Sequence, residues 1–225
     1  RSMKSTIGAT EVRSLLHLAC SGLAPMLDEG RGVFCDRLIS DGDEIRREGI
    51  SERYTAMTLL GLNRYHRAGF QSQFPLHDMA ATLLRERSWA SDVGDAGLLA
   101  WLFAEVHPSE LGACLSAVNL GSVFEQSKLA RSRHTMELAW FLTGVSKVVL
   151  ADPSQRHTWN AVAHGVYKLL LMNRGRSGLF GHRSSGFGPR SWRGRIGSFA
   201  DQVYPIYALT TFAKGFDVSE GLDAA

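Results

Sequence analysis

Two aspartates stand three residues apart, at the point where a helix is predicted to begin. Asp92 and Asp95 come just before an apolar run that continues to Val106. Carboxyl groups held close together can keep a proton through a raised pKa and act as an acid, or they can hold a metal-bound diphosphate. Aspartate is also a favoured N-cap that complements the helix dipole. We therefore predict Asp92 and Asp95 as catalytic residues, with helix capping as the structural alternative.

A second group of chemically capable residues is a set of arginines in a stretch without acids. No Asp or Glu occurs between Pro153 and Ala200, whereas this stretch holds Arg174, Arg176, Arg183, Arg190, Arg193 and Arg195. A planar guanidinium group binds phosphate, sulfate or uronate oxygens in pairs. The alternative is a solvated basic loop. Nucleic acid is the less favoured partner, because few aromatic residues interleave with the arginines and no known binding motif is present.

Helices must position these groups, and apolar side chains do recur at spacings of three and four along most of the chain. We place the helix starts at capping residues and the stops at glycine or proline. The predicted helices cover approximately residues 10–26, 51–68, 76–87, 92–106, 109–131, 132–149, 154–172 and 199–214. Strand patterns are almost absent, and the glycine-rich stretch 173–198 is predicted to be a long loop. The predicted fold class is all-α.

An internal repeat organises this array. At an offset of 146 residues, the block 32–70 matches the block 178–216 at eight positions without a gap, against about two or three expected by chance. Phe34 meets Phe180, Arg37 meets Arg183, and Gly69 meets Gly215. Each block reads as a glycine-led loop followed by a helix. The chain is therefore predicted to be a single helical-hairpin repeat domain over residues 1–225.

Polar residues at the helix starts of such an array converge if those starts point at one mouth. A glycan or an apolar diphosphate could then bind among them. The predicted substrate-binding residues are Arg37, Arg53, Tyr54, His182, Arg183, Arg195, Asp201, Gln202 and Tyr204. The structural alternatives are packing roles repeated in each hairpin for the two equivalent arginines, and plain solvation of polar helix starts.

Composition narrows the class of protein further. The net charge is only +3, and the three cysteines form no C-x-x-C pair, so a reducing cytoplasm is the expected setting. The eight histidines show no metal-binding spacing, and we predict no metal site and no cofactor, except Mg²⁺ if a diphosphate is bound. No apolar run is long enough to span a membrane.

Two segments resemble a known family. Residues 92–99, D-V-G-D-A-G-L-L, resemble the acidic D-x-D-D motif of class II terpenoid cyclases, and residues 191–197, S-W-R-G-R-I-G, are similar to a repeat motif of squalene-hopene cyclases. Those proteins and the β subunits of protein prenyltransferases are α/α toroids of helical hairpins. The resemblance implies an α/α-toroid-like array, incomplete or part of a longer chain. The proton-donating aspartate of the family corresponds here to Gly94, which cannot donate a proton.

Three functional hypotheses follow. The first is a terpenoid-cyclase-like or prenyltransferase-like enzyme, or a degenerate relative, that binds an isoprenoid or another anionic small molecule in a central cavity. The second is a glycan-acting lyase, hydrolase or epimerase. The third is a non-catalytic binding or scaffold protein, because Gly94 removes the family's acid. The expected partners are a small-molecule or glycan ligand, together with a second copy or a partner chain that completes the toroid.

Overall fold

A computed structural model of the protein describes residues 8–42, 44–129, 134–183 and 197–218. Its contacts divide the chain into two compact units, Arg1–Thr82 and Leu83–Ala225. We describe each unit by itself. The organisation of the chain as one repeat domain stays a prediction.

The first unit combines two helices with a small sheet. Helix α1 covers Ala9–Leu23, and α2 covers Glu52–Arg67. Between them, strands β1 (Leu27–Asp28), β2 (Val33–Asp41) and β3 (Glu44–Ile50) form an antiparallel sheet in that order.

Side chains at the start of α2 attach the sheet to that helix. Ser51 caps α2 by accepting a hydrogen bond from the backbone N–H of Tyr54, as its sequence position predicts. One turn into the helix, Thr55 Oγ1 accepts the backbone N–H of Phe34 in β2 at 2.8 Å. The side chain of Phe34 is buried and meets Phe74 edge to face, with ring centroids 5.2 Å apart.

The prediction of an all-α toroid is wrong, because strands β2 and β3 pair as a β-hairpin. Three successive residues at the start of β2 are buried and the later ones are exposed or half-buried, while β3 is polar along most of its length. Neither strand therefore shows the period-two alternation by which a half-buried strand is identified. The hairpin is defined by backbone pairing from Cys35–Ile50 to Asp41–Glu44 and by Gly42, whose φ of 64° suits a tight turn. The chain is mostly helical with a three-stranded sheet.

The second unit is helical in the residues that the structure describes. Helix α3 (Leu76–Arg85) runs across the boundary between the units, and the following helices are α4 (Val93–Val106), α5 (Leu111–Ala117), α6 (Leu120–Leu129), α7 (Thr135–Ala151), α8 (Arg156–Leu171) and α9 (Ala200–Phe216). The predicted helix 109–131 is two helices. The first ends before Val118, whose backbone is extended, and Asn119 caps α6 by accepting the N–H of Ser122 at 3.0 Å. None of the described helices is long and apolar enough to cross a membrane.

The core of the second unit is a layer of three helices, with α7 packed between α4 and α9. Every residue of α4 except Glu105 is buried. Glycines allow the backbones to approach: an added Cβ at Gly97 would collide with the Phe141 backbone, and one at Gly144 would collide with the Gly97 carbonyl. Gly94 lies against Glu137, and Gly97, further along α4, lies against Phe141, further along α7. The two helices therefore run parallel.

Helix α9 also runs parallel to α7, since Tyr204 meets Trp140 and Gly215 meets Ser146. The N-termini of α4, α7 and α9 therefore lie at the same end of the layer. This placement brings together residues that are far apart in the chain, and the candidate site is built there.

Candidate functional site

Two of the three helix starts carry aspartates that satisfy backbone donors. Asp92 is the N-cap of α4, and its Oδ1 accepts the N–H of Asp95 at 2.9 Å. At α9, Ser198 and Asp201 cap reciprocally: Asp201 Oδ2 accepts the N–H and the hydroxyl of Ser198, each at 2.8 Å, while Ser198 Oγ accepts the N–H of Asp201 at 3.2 Å. The capping alternative is therefore observed at Asp92. These bonds leave further carboxylate lone pairs for other partners.

A chain of two histidines ends on Asp201. His182 Nδ1 lies 3.2 Å from Asp201 Oδ2, and His182 Nε2 lies 3.3 Å from Nδ1 of His134, the residue before α7. A fully buried carboxylate accepts hydrogen bonds, so it orients the Nδ1–H of His182 toward itself. In this tautomer, His182 Nε2 accepts from His134 Nδ1–H. With the proton of His134 on Nδ1, its Nε2 carries a free lone pair, as a general base requires.

The surroundings of His134 keep this ring neutral near pH 7. Burial lowers the pKa of His134 from its ordinary value of 6.5, and the nearby His182 and Arg183 lower it further. The negative charges of Asp201 and Asp92 act in the opposite direction but do not reverse the shift. A neutral imidazole can accept a proton, whereas an imidazolium cannot.

A buried network holds the two histidines in place. The N–H of Thr135 donates to the carbonyl of His182 at 3.0 Å, and the hydroxyl of Thr135 donates to the carbonyl of Gly181. Asn173 Nδ2 in turn donates to Thr135 Oγ1 at 2.9 Å. Thr135 and Asn173 are both buried, so the segment that carries His182 is fastened to the start of α7.

A cavity of about 1130 Å³ lies beside this cluster. Cationic, small polar and apolar residues line it: Arg174, Arg176, Arg183, Asn173, Ser177, Ser198, Gln202, Gly175, Gly181, Gly197, Met172, Leu179, Phe180 and Phe199. Gln202 closes one side, because its amide donates to the carbonyl of Phe180 and accepts the N–H of Phe180. Arg183 belongs to both features: it lines the cavity, and its charge acts on His134.

The structure brings together several of the predicted site residues. The charges of Asp92, His182, Arg183 and Asp201 all act on His134. Gln202 follows Asp201 directly in the first turn of α9. Asp95 is buried in the first turn of α4. Tyr204 lies deeper in the helix layer, half-buried against Trp140, and burial raises the pKa of its hydroxyl.

Other predicted residues lie elsewhere. In the first unit, Arg37 is engaged on the hairpin, where Nη2 lies 2.7 Å from Glu48 Oε2. Tyr54 lines a smaller cavity of about 450 Å³ with Asp36 and Cys35, and Arg53 is its half-buried neighbour at the start of α2. Arg195 lies outside the described residues.

Sequence reasoning missed His134, Thr135 and Asn173. No local motif contains them, and a single histidine in the sequence does not indicate a partner 48 residues away. One pattern could have indicated His134: it stands directly before an apolar helix, as Asp92 does before α4. Within the described part of the chain, no group of His, Cys, Asp and Glu side chains has the arrangement of a metal site.

No protein-family model, no curated protein and no solved structure matches this chain.

Proposed function

We propose that the second unit is an acid–base enzyme that binds an anionic small molecule in the arginine-lined cavity and uses His134 as its general base. One observation carries the proposal: Arg183 lines the cavity and is also close enough to His134 to lower its pKa. An anion bound by Arg183 would therefore be held next to the histidine chain.

The charges around the cavity favour an anionic ligand. Three arginines line it, and no acidic side chain does so among the described residues. Guanidinium groups bind carboxylate or phosphate oxygens through paired, charge-assisted hydrogen bonds. Serine hydroxyls at positions 177 and 198 and the amide of Gln202 supply further polar groups.

The histidine chain supports proton transfer. When His134 Nε2 takes a proton from a substrate, the ring becomes positively charged, and Asp92 and Asp201 both stabilise that charge. His182 aligns the ring by hydrogen bonding, and Asp201 aligns His182. In this arrangement Asp201 and His182 are positioning residues, and His134 is the residue expected to touch substrate.

A uronate-containing glycan is a second candidate, because Arg183 and a neutral base lie side by side. His134 Nε2 would remove the proton from the carbon next to the uronate carboxylate, while Arg183 offsets the charge that develops on that carboxylate. The bond from the neighbouring carbon to the glycosidic oxygen would then break and leave a carbon–carbon double bond, while the departing oxygen takes a proton from the imidazolium of His134 or from water and leaves as an alcohol. Incubation with a polyuronate, followed by the ultraviolet absorbance of the unsaturated product, tests this candidate.

Calorimetric titration of the chain with inorganic diphosphate tests anion binding. Because charge-assisted hydrogen bonds contribute about 1.5–3 kcal/mol, Arg183→Ala should weaken binding at least about tenfold. Arg156→Ala removes the same charge from the exposed start of α8, which does not line the cavity, and should change the affinity less than about twofold. Equal losses in the two variants, or no binding heat in the unmodified chain, would overturn the proposal.

Proton NMR of the His134 ring tests the contact between ligand and base. A bound diphosphate adds negative charge near the ring, so the pKa of His134 should rise on saturation. An unchanged pKa at saturation would place the anion away from His134 and contradict the catalytic part of the proposal. A non-catalytic binding protein would bind diphosphate and pass this test while turning over none of a panel of anionic substrates.

A further inference from the structure

The rim of the arginine-lined cavity carries three large apolar side chains in open solvent. Met172, Leu179 and Phe199 are 64%, 63% and 85% exposed, and all three line the cavity. They come from three separate places in the chain: the end of α8, the turn that follows it, and the residue before α9. Because all three border one cavity, they can contact the same external surface.

Arginines lie among these apolar residues. In sequence order the segment reads Met172, Arg174, Arg176, Leu179, Arg183, and all five residues line the cavity. Arg174 and Arg176 are exposed. Arg174 is directed along the turn, where its Nε donates to the carbonyl of Gly178 at 3.1 Å. The surface is therefore cationic and apolar at once.

We propose that this rim, consisting of Met172, Leu179 and Phe199, docks the second unit on an anionic lipid surface. The apolar tips enter the boundary between headgroups and acyl chains, and Arg174 and Arg176 bind headgroup phosphates. This surface goes beyond the small-molecule site, although Arg183 borders both.

A lipid surface fits this rim better than a protein partner does. A specific protein interface needs a continuous, complementary area of about 800 Å² on each side. Here the apolar contacts are three isolated tips around a concave opening, and the groups between them are arginines, glycines and serines. Lipid headgroups are mobile and can fill such an opening around each tip.

Vesicle co-sedimentation tests the proposal with the full chain. The probes are vesicles of phosphatidylcholine alone and vesicles that contain about 30 mol % phosphatidylglycerol. The chain should sediment with the anionic vesicles and at least about tenfold less with the neutral ones, and salt should release it, because screening weakens the arginine contacts. Phe199→Ser and Leu179→Ser should each reduce the bound fraction several-fold, and Arg176→Ala should reduce it about fivefold.

Leu150→Ser is the matched control, because Leu150 is 44% exposed at the end of α7 and does not line the cavity. It should sediment like the unmodified chain. Equal binding to neutral vesicles, no sedimentation at all, or equal losses in Leu150→Ser and Phe199→Ser would overturn the proposal. So would a dimer that forms without lipid and depends on Phe199. Titration with inorganic diphosphate in the absence of vesicles reports on the small-molecule site alone, so failure of one proposal is separable from failure of the other.

Discussion

The imidazole of His182 and the carboxylate of Asp201 lie 3.2 Å apart, between Nδ1 and Oδ2, and the Asp201 side chain has no exposed surface. The same carboxylate accepts two hydrogen bonds from Ser198 at the start of α9. One buried group therefore both caps a helix and orients the histidine chain.

Replacing Asp201 should lower the stability of the protein and weaken the orientation of His182. Asp201→Asn puts an amide where the carboxylate accepts from Ser198 and His182, and it should lower the free energy of unfolding by about 1–3 kcal/mol. Urea denaturation measures the change. Glu125→Gln, which breaks an exposed ion pair with Lys128, should cost no more than about 1 kcal/mol. A loss at Asp201 no larger than the loss at Glu125 would contradict the capping and orienting role.

The stability of the second unit should depend on pH through His134. Because folding lowers the pKa of this ring below 6.5, its stabilising contribution is present above pH 6.5 and is lost as the pH falls through the folded value. The ring is partly solvated, so we expect an effect below about 1 kcal/mol. Comparing the unfolding free energy of the unmodified chain and of His134→Gln between about pH 8 and about pH 5 isolates it. Parallel curves for the two proteins would show that His134 does not titrate as we infer.

The crossing of α4 and α7 should not tolerate a methyl group. Gly144→Ala places a Cβ against the carbonyl of Gly97, which is backbone and cannot rotate away, so the helices must move apart at a cost of about 1–3 kcal/mol. The control is Gly112→Ala in α5, where a Cβ meets nothing within 4 Å; this change should stabilise by about 0.4–1 kcal/mol through the unfolded chain. Thermal unfolding of both variants tests this prediction, since the melting temperature should fall in Gly144→Ala and rise in Gly112→Ala.

Thr55 should be important for the attachment of β2 to α2. Thr55→Val removes the oxygen that accepts the Phe34 N–H and leaves a buried donor without that acceptor, at a cost of about 1–3 kcal/mol. Thr58→Val is the control: it replaces the same hydroxyl by a methyl group one turn further along α2, at a half-buried position that does not accept the Phe34 N–H. It should cost less than about 1 kcal/mol. Amide hydrogen exchange at Phe34 should accelerate only in the Thr55 variant. Unchanged exchange at Phe34 would contradict the assignment.

The two phenylalanines matched by the internal repeat have related surroundings. The N–H of Phe34 donates to Thr55 Oγ1, and the N–H of Phe180 donates to Gln202 Oε1 at 2.9 Å; each acceptor belongs to the first turn of the next long helix described. Both phenyl rings are buried. The surrounding backbone differs, however, because Phe34 belongs to a nine-residue strand whereas Phe180 makes only an isolated bridge with Arg174.

Sequence patterns alone predicted where several of the helices begin and end, because capping and stopping are local events. Ser51 and Asp92 satisfy backbone donors within three residues, and Gly69, with a φ of 89°, ends α2 in a conformation that other residues rarely adopt. The sequence also predicts Asp92, Asp201 and Gln202 from the polar starts of helices, and His182 and Arg183 from the internal repeat; the structure places these residues near His134, and their role in a site stays a prediction.

The tertiary structure decided the rest, because the deciding contacts join distant parts of the chain. The hairpin of β2 and β3 is held by backbone pairing that leaves no alternating pattern in its side chains. His134 becomes a candidate base only because the segment that carries His182, 48 residues away, is hydrogen-bonded to the start of α7. Spacing along a sequence reports neighbours on one element, whereas a chain of hydrogen bonds across three segments depends on how those segments pack.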